Sequence, residues 1–414
     1  MTLPMAIYFH RITVFALPVH IFILPLLGVL MPAALLTLLT LLAWPAAAVV
    51  PATISALLLH CGVWLVRLFG SFALGDFRIP APLAWQSTAF CILLAAAVVL
   101  ALRGRRLVWH DRSSNRQSLL SGAGAWAALA LAAVVAVLPR PIDHPQNALF
   151  FEAIDVGQGD SLLLITPDGK TLLVDDGGFG AGPRQAPQDF DIGEEVVSPA
   201  LWARGIRRLD AVALSHAHSD HMGGLPSVLR NFRRAELWVG NNPRVAAYNA
   251  LLGEADQLRV VIRTLRAGDE LTLGDTNVHV LAPFRDYQSG AEPANNDSLV
   301  LHMAYGGTSV LLEEAPIEQS MLAESGLQSS LLKVGHHGSV TSTRPEFLAR
   351  VAPDWAVISC GLHNRYHHPR PEVLAELQAA KIRTHSTDIN GAACFQLDGR
   401  IVVPEPLCGL WPRP

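Results

Sequence analysis

The run Leu214 to Gly224, LSHAHSDHMGG, places three histidines and an aspartate within six positions of a mostly apolar chain. It begins where the Val- and Leu-rich strand LDAVAL (209–214) ends, and Gly223, Gly224 and Pro226 turn it into the helical pattern LPSVLRNF (225–232). The cluster therefore occupies a strand-to-helix loop at the edge of a sheet, where functional side chains are commonly mounted. His216 and His218, two apart in extended backbone, point to one side and can converge on one cation, and Asp220 and His221 can face a second. Imidazole and carboxylate are ligands for Zn, Mn or Fe, and two such ions roughly 3.5 to 4 Å apart can hold a bridging hydroxide. A solvated polar loop is the alternative, but it leaves the density of ligand types unexplained.

Working outward, NALFFEAIDV, SLLLIT and TLLVDD read as strands joined by tight turns such as TPDGK. Further strands are expected at LWVG, RVVIR, NVHVLAP, SLVLHMAY, SVLLE, LLKVG and DWAVIS, and helices at VVSPALWARGI, LPSVLRNF, IEQSMLAES, PEFLARV and PEVLAELQAA. Strands interleaved with helices predict sheets covered on both sides, an αββα sandwich of the α/β class over residues 147–404.

Residues 1–140 read differently. The mean hydropathy of the chain is +0.32. Its apolar excess is concentrated: 55 residues without Asp, Glu, Lys or Arg separate Arg11 from Arg67, 24 separate Arg78 from Arg103, and 23 separate Arg116 from Arg140. At roughly 20 residues per crossing these stretches predict about four transmembrane helices. Pro45 and Pro51 bracket a turn, while Pro18, Pro25 and Pro32 are expected to kink or break the first helix, leaving a re-entrant segment open. The long apolar stretch excludes a cleaved secretory signal. Arg103, Arg105, Arg106, Arg112 and Arg116 crowd one short loop, which the positive-inside rule assigns to the cytoplasm, so the multi-pass part belongs in an inner membrane and everything after Pro139 on the periplasmic or outer face.

Charge divides at the same place. Up to Arg140 there are nine Lys or Arg against two Asp or Glu, leaving 22 against 33 beyond it, where 12 of the 16 histidines also lie. An acidic domain is a poor prior for nucleic-acid binding. Local clusters relieve this only in part: Arg204, Arg207 and Arg208 before the metal loop, Arg230, Arg233 and Arg234 after it, and Arg344, Arg365 and Arg370 near a second histidine pair. The five cysteines give no framework, and Cys360, Cys394 and Cys408 have neither paired nor metal-type spacing. QGDSLLL and DDGGFGAG lack the Lys and Ser/Thr of a phosphate cradle, which excludes a nucleotide loop.

HAHSDH resembles the HxHxDH signature of the metallo-β-lactamase superfamily. DVGQGDS, LLVDDGG, NNDSLVL, LKVGHHGS and NRYHHPRPEV resemble, in order through residues 149–400, the hydrolase domain of ComEC-type DNA internalisation proteins. YFHR and the proline-broken helices that follow are similar to the end of that family's competence membrane domain. Because the family also carries an oligonucleotide-fold domain and further helices, the chain is expected to be the C-terminal portion of a longer protein or a split gene.

The resemblance implies His216 and His218 on one metal, Asp220 and His221 on a second, and Asp175 as a buried acid orienting the cluster. One of His336 and His337 completes the second metal, His336 being preferred because it follows LLKVG directly; the other contacts substrate or packs. Asp160 shapes the mouth of the site or is a turn residue, and Lys333 stabilises phosphate charge or ends a strand in solvent. Two departures stand out. The stretch PANNDSLVL offers Asn296 or Asp297 where a histidine normally serves the first metal. Register from Tyr305 and Gly306 puts Ala315 where a bridging aspartate belongs, so either Glu313 or Glu314 substitutes or the two-metal centre is impaired. The implied cofactor is a pair of divalent ions, Zn or Mn, and the implied activity is that of a deoxyribonuclease or phosphodiesterase in natural transformation. Its partners would be one strand of incoming DNA, the membrane and other parts of an uptake channel. A membrane-bound hydrolase of small esters, phosphodiesters or lactams, and an inactive domain that binds DNA or a partner, are the other readings.

Overall fold

The computed structural model describes residues 2–72, 75–110, 115–178, 190–232, 236–314, 318–324, 326–406 and 408. The chain forms two compact units, Met1–Arg140 and Pro141–Pro414.

The first unit carries four helices long and apolar enough to cross a membrane: α1 (Ala16–Ala43), α2 (Val49–Gly70), α3 (Ala84–His110) and α4 (Asn115–Val137). A tight turn at Pro45–Ala48 separates α1 from α2. Contrary to expectation, α1 is not broken; it runs continuously through Pro25 and Pro32. Pro18 lies in the first turn, where a backbone N–H has no intrahelical partner anyway. Each internal proline removes one backbone bond, whereas a break would expose several unsatisfied groups to hydrocarbon. Ile21, Leu24, Met31, Leu35 and Leu38 project outward and exposed, a surface suited to lipid. Along the α3–α4 seam, small residues bring the backbones together, and the Ser118 hydroxyl donates to the Gly104 carbonyl at 3.3 Å. Arg103, Arg105 and Arg106 lie exposed at the end of α3 and Arg116 at the start of α4; Arg112 lies outside the described residues.

The second unit holds fifteen described strands: β1 (Leu149–Ala153), β2 (Leu162–Ile165), β3 (Thr171–Val174), β4 (Ala211–Leu214), β5 (Glu236–Val239), β6 (Val261–Thr264), β7 (Glu270–Leu273), β8 (Thr276–Ala282), β9 (Val300–Tyr305), β10 (Thr308–Leu312), β11 (Leu331–Lys333), β12 (Trp355–Ile358), β13 (Arg383–Ser386), β14 (Ala393–Leu397) and β15 (Val402–Pro404). Eight form one sheet in the order β15-β14-β1-β2-β3-β4-β5-β6, and seven form the other, β13-β12-β11-β10-β9-β8-β7. Each sheet is antiparallel at one end and parallel at the other, β3 to β6 and β10 to β13 forming the parallel runs.

Side-chain alternation builds the layers. On β1, Leu149 and Phe151 point into an inter-sheet core shared with Val278, Leu301, Met303 and Val310 from the opposite sheet. Phe150 points the other way, into a core with Trp202, Leu225, Val228 and Tyr248. These outer residues come from α5 (Ser198–Ala203), α6 (Leu225–Asn231) and α7 (Ala246–Gln257). The second outer face, Leu311, Leu332, Ala356 and Ile358, is covered by Phe347, Val351, Val373 and Leu377 from α8 (Pro345–Val351) and α9 (Pro371–Ala379). The result is the expected αββα sandwich, and a strand buried on both faces reads as a continuous apolar run for this reason. Of the expected helix IEQSMLAES, only Glu318–Met321 is helical among the described residues. The late cysteines correct the sequence reading: Cys394 on β14 and Cys408 form a disulfide, so strand pairing brings together two residues whose spacing gave no hint of it.

Leu301 is fully buried between the sheets and Val261 is 61% exposed on edge strand β6. Leu301→Ala is expected to destabilise the unit by about 2–5 kcal/mol through lost transfer energy and a cavity, and Val261→Ala by less than about 0.5 kcal/mol, as measured by denaturant unfolding of the chain in detergent.

Candidate metal centre

Three loops at the strand ends of the eight-stranded sheet meet at the cluster. Gly177 N–H donates to the Asp160 carbonyl at 2.7 Å, Asp176 N–H to the His221 carbonyl at 2.8 Å, and Asp175 N–H to the Ala213 carbonyl at 2.9 Å. The approach is close enough to require glycine. At Gly159, with φ +108°, a Cβ would sit 2.1 Å from the Asp220 carbonyl oxygen, and at Gly178 a Cβ would sit 1.8 Å from that of Ser219.

Asp175, fully buried, lies beneath the histidine loop. Its carboxylate accepts from Ser215 N–H at 2.7 Å and from the Ser215 hydroxyl at 2.6 Å, and Oδ2 lies 2.8 Å from His221 Nδ1. That contact commits Nδ1 and turns Nε2 of His221 toward the cavity. His216 is held in the opposite sense. Its Nδ1 faces the hydroxyls of Ser215 and Ser298 at 3.0 and 3.4 Å. Its Nε2 lies 2.7 Å from Nδ1 of His218, whose Nε2 is anchored on the Pro293 carbonyl at 2.9 Å.

The HHGS stretch sorts its two histidines. Both adopt positive φ, 48° at His336 and 56° at His337, so ordinary strand alternation does not tell which faces inward. His337 does, correcting the preference for His336: its ring stacks on His221 with centroids 5.3 Å apart. Its Nδ1 is tied to the Ser359 carbonyl at 2.9 Å, and its buried Nε2, without a hydrogen-bond partner, lies 3.7 Å from Asp220 Oδ2. His336 sits at the mouth, its Nδ1 3.0 Å from the Thr341 hydroxyl and its ring 5.8 Å from that of His368.

Lys333 departs furthest from expectation. It is not a phosphate contact but lies wholly buried under the site, with Nζ 2.5 Å from Asp160 Oδ2 and paired also with Glu314. A charge that deep is tolerable only when paired. Asp160 accordingly forms the floor of the site rather than its mouth, 3.8 and 3.7 Å from Nδ1 of His221 and His337. Glu314 is spent on Lys333, and Glu313 is buried against Gly335. Asp297 also points away, accepting from the Tyr287 hydroxyl and Ala294 N–H, each at 2.8 Å. Asn296 is exposed, and Asn295, one residue earlier, lines the cavity. Ala315 lies outside the described residues.

Burial disfavours charge throughout, and the carboxylates decide what survives. The His216 pKa falls well below its usual value through burial and the neighbouring His221 and His218 rings. At His221 burial is outweighed by Asp175, Asp220 and Asp160, and the pKa rises. Burial would raise the Asp160 pKa, but Lys333, His337 and His221 hold it down to about 2. Asp220 likewise stays well below the ordinary carboxylate range against its burial, through His337 and His221.

The cavity has a volume of about 360 Å³ and is lined by His218, Asp220, His221, His336 and His337 together with Gln158, Tyr366 and His368. The last three were not singled out from the sequence; their signals were the QGD turn and the HHP run, read there only as parts of a family pattern. Of the arginine clusters, Arg204 is buried in an ion pair with Glu152, Arg230 pairs with Glu254, and Arg233 and Arg234 lie outside the described residues. Arg365 stacks on Tyr366 at the mouth. The donor set fits a divalent cation. Imidazoles anchored through one nitrogen present the other to a shared space with the Asp220 carboxylate, and an unpartnered buried Nε2 at His337 is an atom such an ion would satisfy.

Comparison with known proteins agrees. The family model described as "Metallo-beta-lactamase superfamily" matches residues 154–362. The chain is 36% identical over 265 residues to ComE operon protein 3 of Bacillus subtilis (strain 168), covering 60% of this chain and 33% of that protein. It is 29% identical over 344 residues to Competence protein ComA of Neisseria gonorrhoeae, covering 81% and 41%. To Recombination protein 2 of Haemophilus influenzae it is 31% identical over 244 residues, covering 58% and 28%. The chain thus spans about a third of the length of the curated relatives it matches, and the ComEC-type resemblance read from its motifs is supported.

Replacing Asp175 by Asn is expected to lower divalent-metal affinity about 10- to 100-fold while leaving the fold intact, measured by calorimetric titration beside circular dichroism.

Proposed function

Since the chain belongs to the metallo-beta-lactamase superfamily, we propose that its second unit is a divalent-metal-dependent phosphodiesterase that degrades the non-transported strand of incoming DNA during natural transformation. The observation that carries this is the convergence of His218, Asp220, His221 and His337 on one open cavity, with His216 Nε2 2.7 Å from His218 Nδ1. Homologues named as competence proteins supply the DNA-uptake context. Zn or Mn is the proposed cofactor; such an ion lowers the pKa of bound water from 15.7 toward roughly 7 and neutralises developing phosphate charge.

The chain's own residues do the rest. Asp220, His221 and His337 bind the ion, and Asp175 fixes the His221 ring. Buried Asp160 backs His221 and His337 while Lys333 balances its charge. His336 and His368 are each brought down to about 4, burial being the largest cause, so both stand neutral at the mouth at physiological pH and can orient a phosphodiester by hydrogen bonding. A cation held by Asp220, His221 and His337 would offset the acidic balance of the unit, since it adds charge absent from a residue count.

The proposed setting is an inner membrane crossed by α1 to α4, with the second unit on the periplasmic or outer face beside other parts of an uptake channel. Two observations support that orientation: the arginines at the α3–α4 junction and the Cys394–Cys408 disulfide, which belongs in an oxidising compartment. A second reading, DNA binding without catalysis, is favoured by one observation, the engagement of Glu314 by Lys333 where a metal-bridging carboxylate was expected.

The test is the full chain in detergent, incubated with labelled single- and double-stranded linear DNA and Mn or Zn. Cleavage is expected, falling about 100-fold or more in His221→Ala and His337→Ala, since metal stabilisation is worth several kcal/mol. DNA retained but uncut supports the second reading. Cleavage of a small phosphodiester alone refutes both.

A further inference from the structure

We infer, resting on the divalent-metal reading above, that the two cation positions of the centre are unequal by construction. The position bounded by Asp220, His221 and His337 holds an ion in the resting protein, whereas the position bounded by His216 and His218 fills only when a phosphate group completes it.

The first position has three protein ligands of two kinds, with His337 Nε2 unpartnered and 3.7 Å from Asp220. Three protein ligands and an open fourth place make a sufficient catalytic site. Asp160, His221 and His337 gather ligand atoms within 4.8 Å of one another, and so do Asp160, Asp175, His221 and Glu314, but His216 and His218 gather no third such group among the described residues. The carboxylates near enough in sequence to help are occupied. Asp297 accepts from Tyr287 and Ala294, and Glu314 is paired with the fully buried Lys333. Residues 315–317 are Ala, Pro and Ile, none a metal ligand. Two imidazoles bring no negative charge of their own to offset a divalent cation. A phosphate ion or phosphodiester brings both the missing oxygen ligands and the missing charge.

The experiment is metal binding rather than turnover. The full chain in detergent, stripped with EDTA, is titrated with Mn²⁺ by calorimetry and electron paramagnetic resonance, with and without inorganic phosphate, and with an uncleavable phosphorothioate oligonucleotide. Without phosphate one ion per chain is expected, any second binding at least about 100-fold more weakly, a gap of roughly 2.8 kcal/mol. Phosphate should bring in the second ion and a spin-coupled pair signal. His337→Ala should lose the first ion, while His218→Ala keeps it and loses the phosphate-dependent one. Two ions of equal affinity without phosphate, no ion at all, or one ion unmoved by phosphate overturns the inference. A response to phosphate but not to the oligonucleotide upholds the unequal positions and refutes the nuclease reading alone.

Discussion

A neutral imidazole has one lone pair to offer, and the Asp175 carboxylate decides which nitrogen of His221 offers it. The rest of the centre repeats that arrangement with other anchors: Ser215 and Ser298 for His216, the Pro293 carbonyl for His218, the Ser359 carbonyl for His337. Each ring is fixed from behind, and the donors meet in front. The sandwich exists around this requirement, because the anchors come from both sheets: Asp175 follows β3, Ser298 precedes β9 and Ser359 follows β12. Only a fold that brings strand ends of two sheets to one edge can supply them together.

The buried charges beneath form a second layer. Asp160, Glu314 and Lys333 are each at most 4% exposed, and ionised groups at that depth persist because they satisfy one another. The trio lends the centre rigidity and sets the local potential.

Much of this was legible in the sequence, and the reason is locality. HAHSDH holds four ligand residues in six positions, and its place between an apolar strand and a Gly-Gly turn requires no knowledge of tertiary structure. The αββα layering was legible too, since strands covered on both faces must be apolar throughout. What escaped reading depended on contacts distant in sequence. Lys333 at a strand end resembles a solvated lysine until Asp160, 173 residues away, is brought against it. His336 was preferred because it follows a strand directly, but both histidines stand at positive φ, where side-chain alternation fails. Pro25 and Pro32 were read as kinking or breaking the first helix, although a break costs more where no water can satisfy the freed backbone groups.

The Asp160–Glu314–Lys333 trio bears on how this chain can vary over generations. Losing the ammonium alone strands two carboxylates in the interior, and losing one acid leaves the ammonium half-neutralised, so single steps away from the trio pass through a disfavoured intermediate. Replacement of all three by apolar side chains need not be costly. The three positions are therefore a heritable unit, exchanged together or retained together across descendants, and a lineage that had given up one would be under pressure to surrender the others.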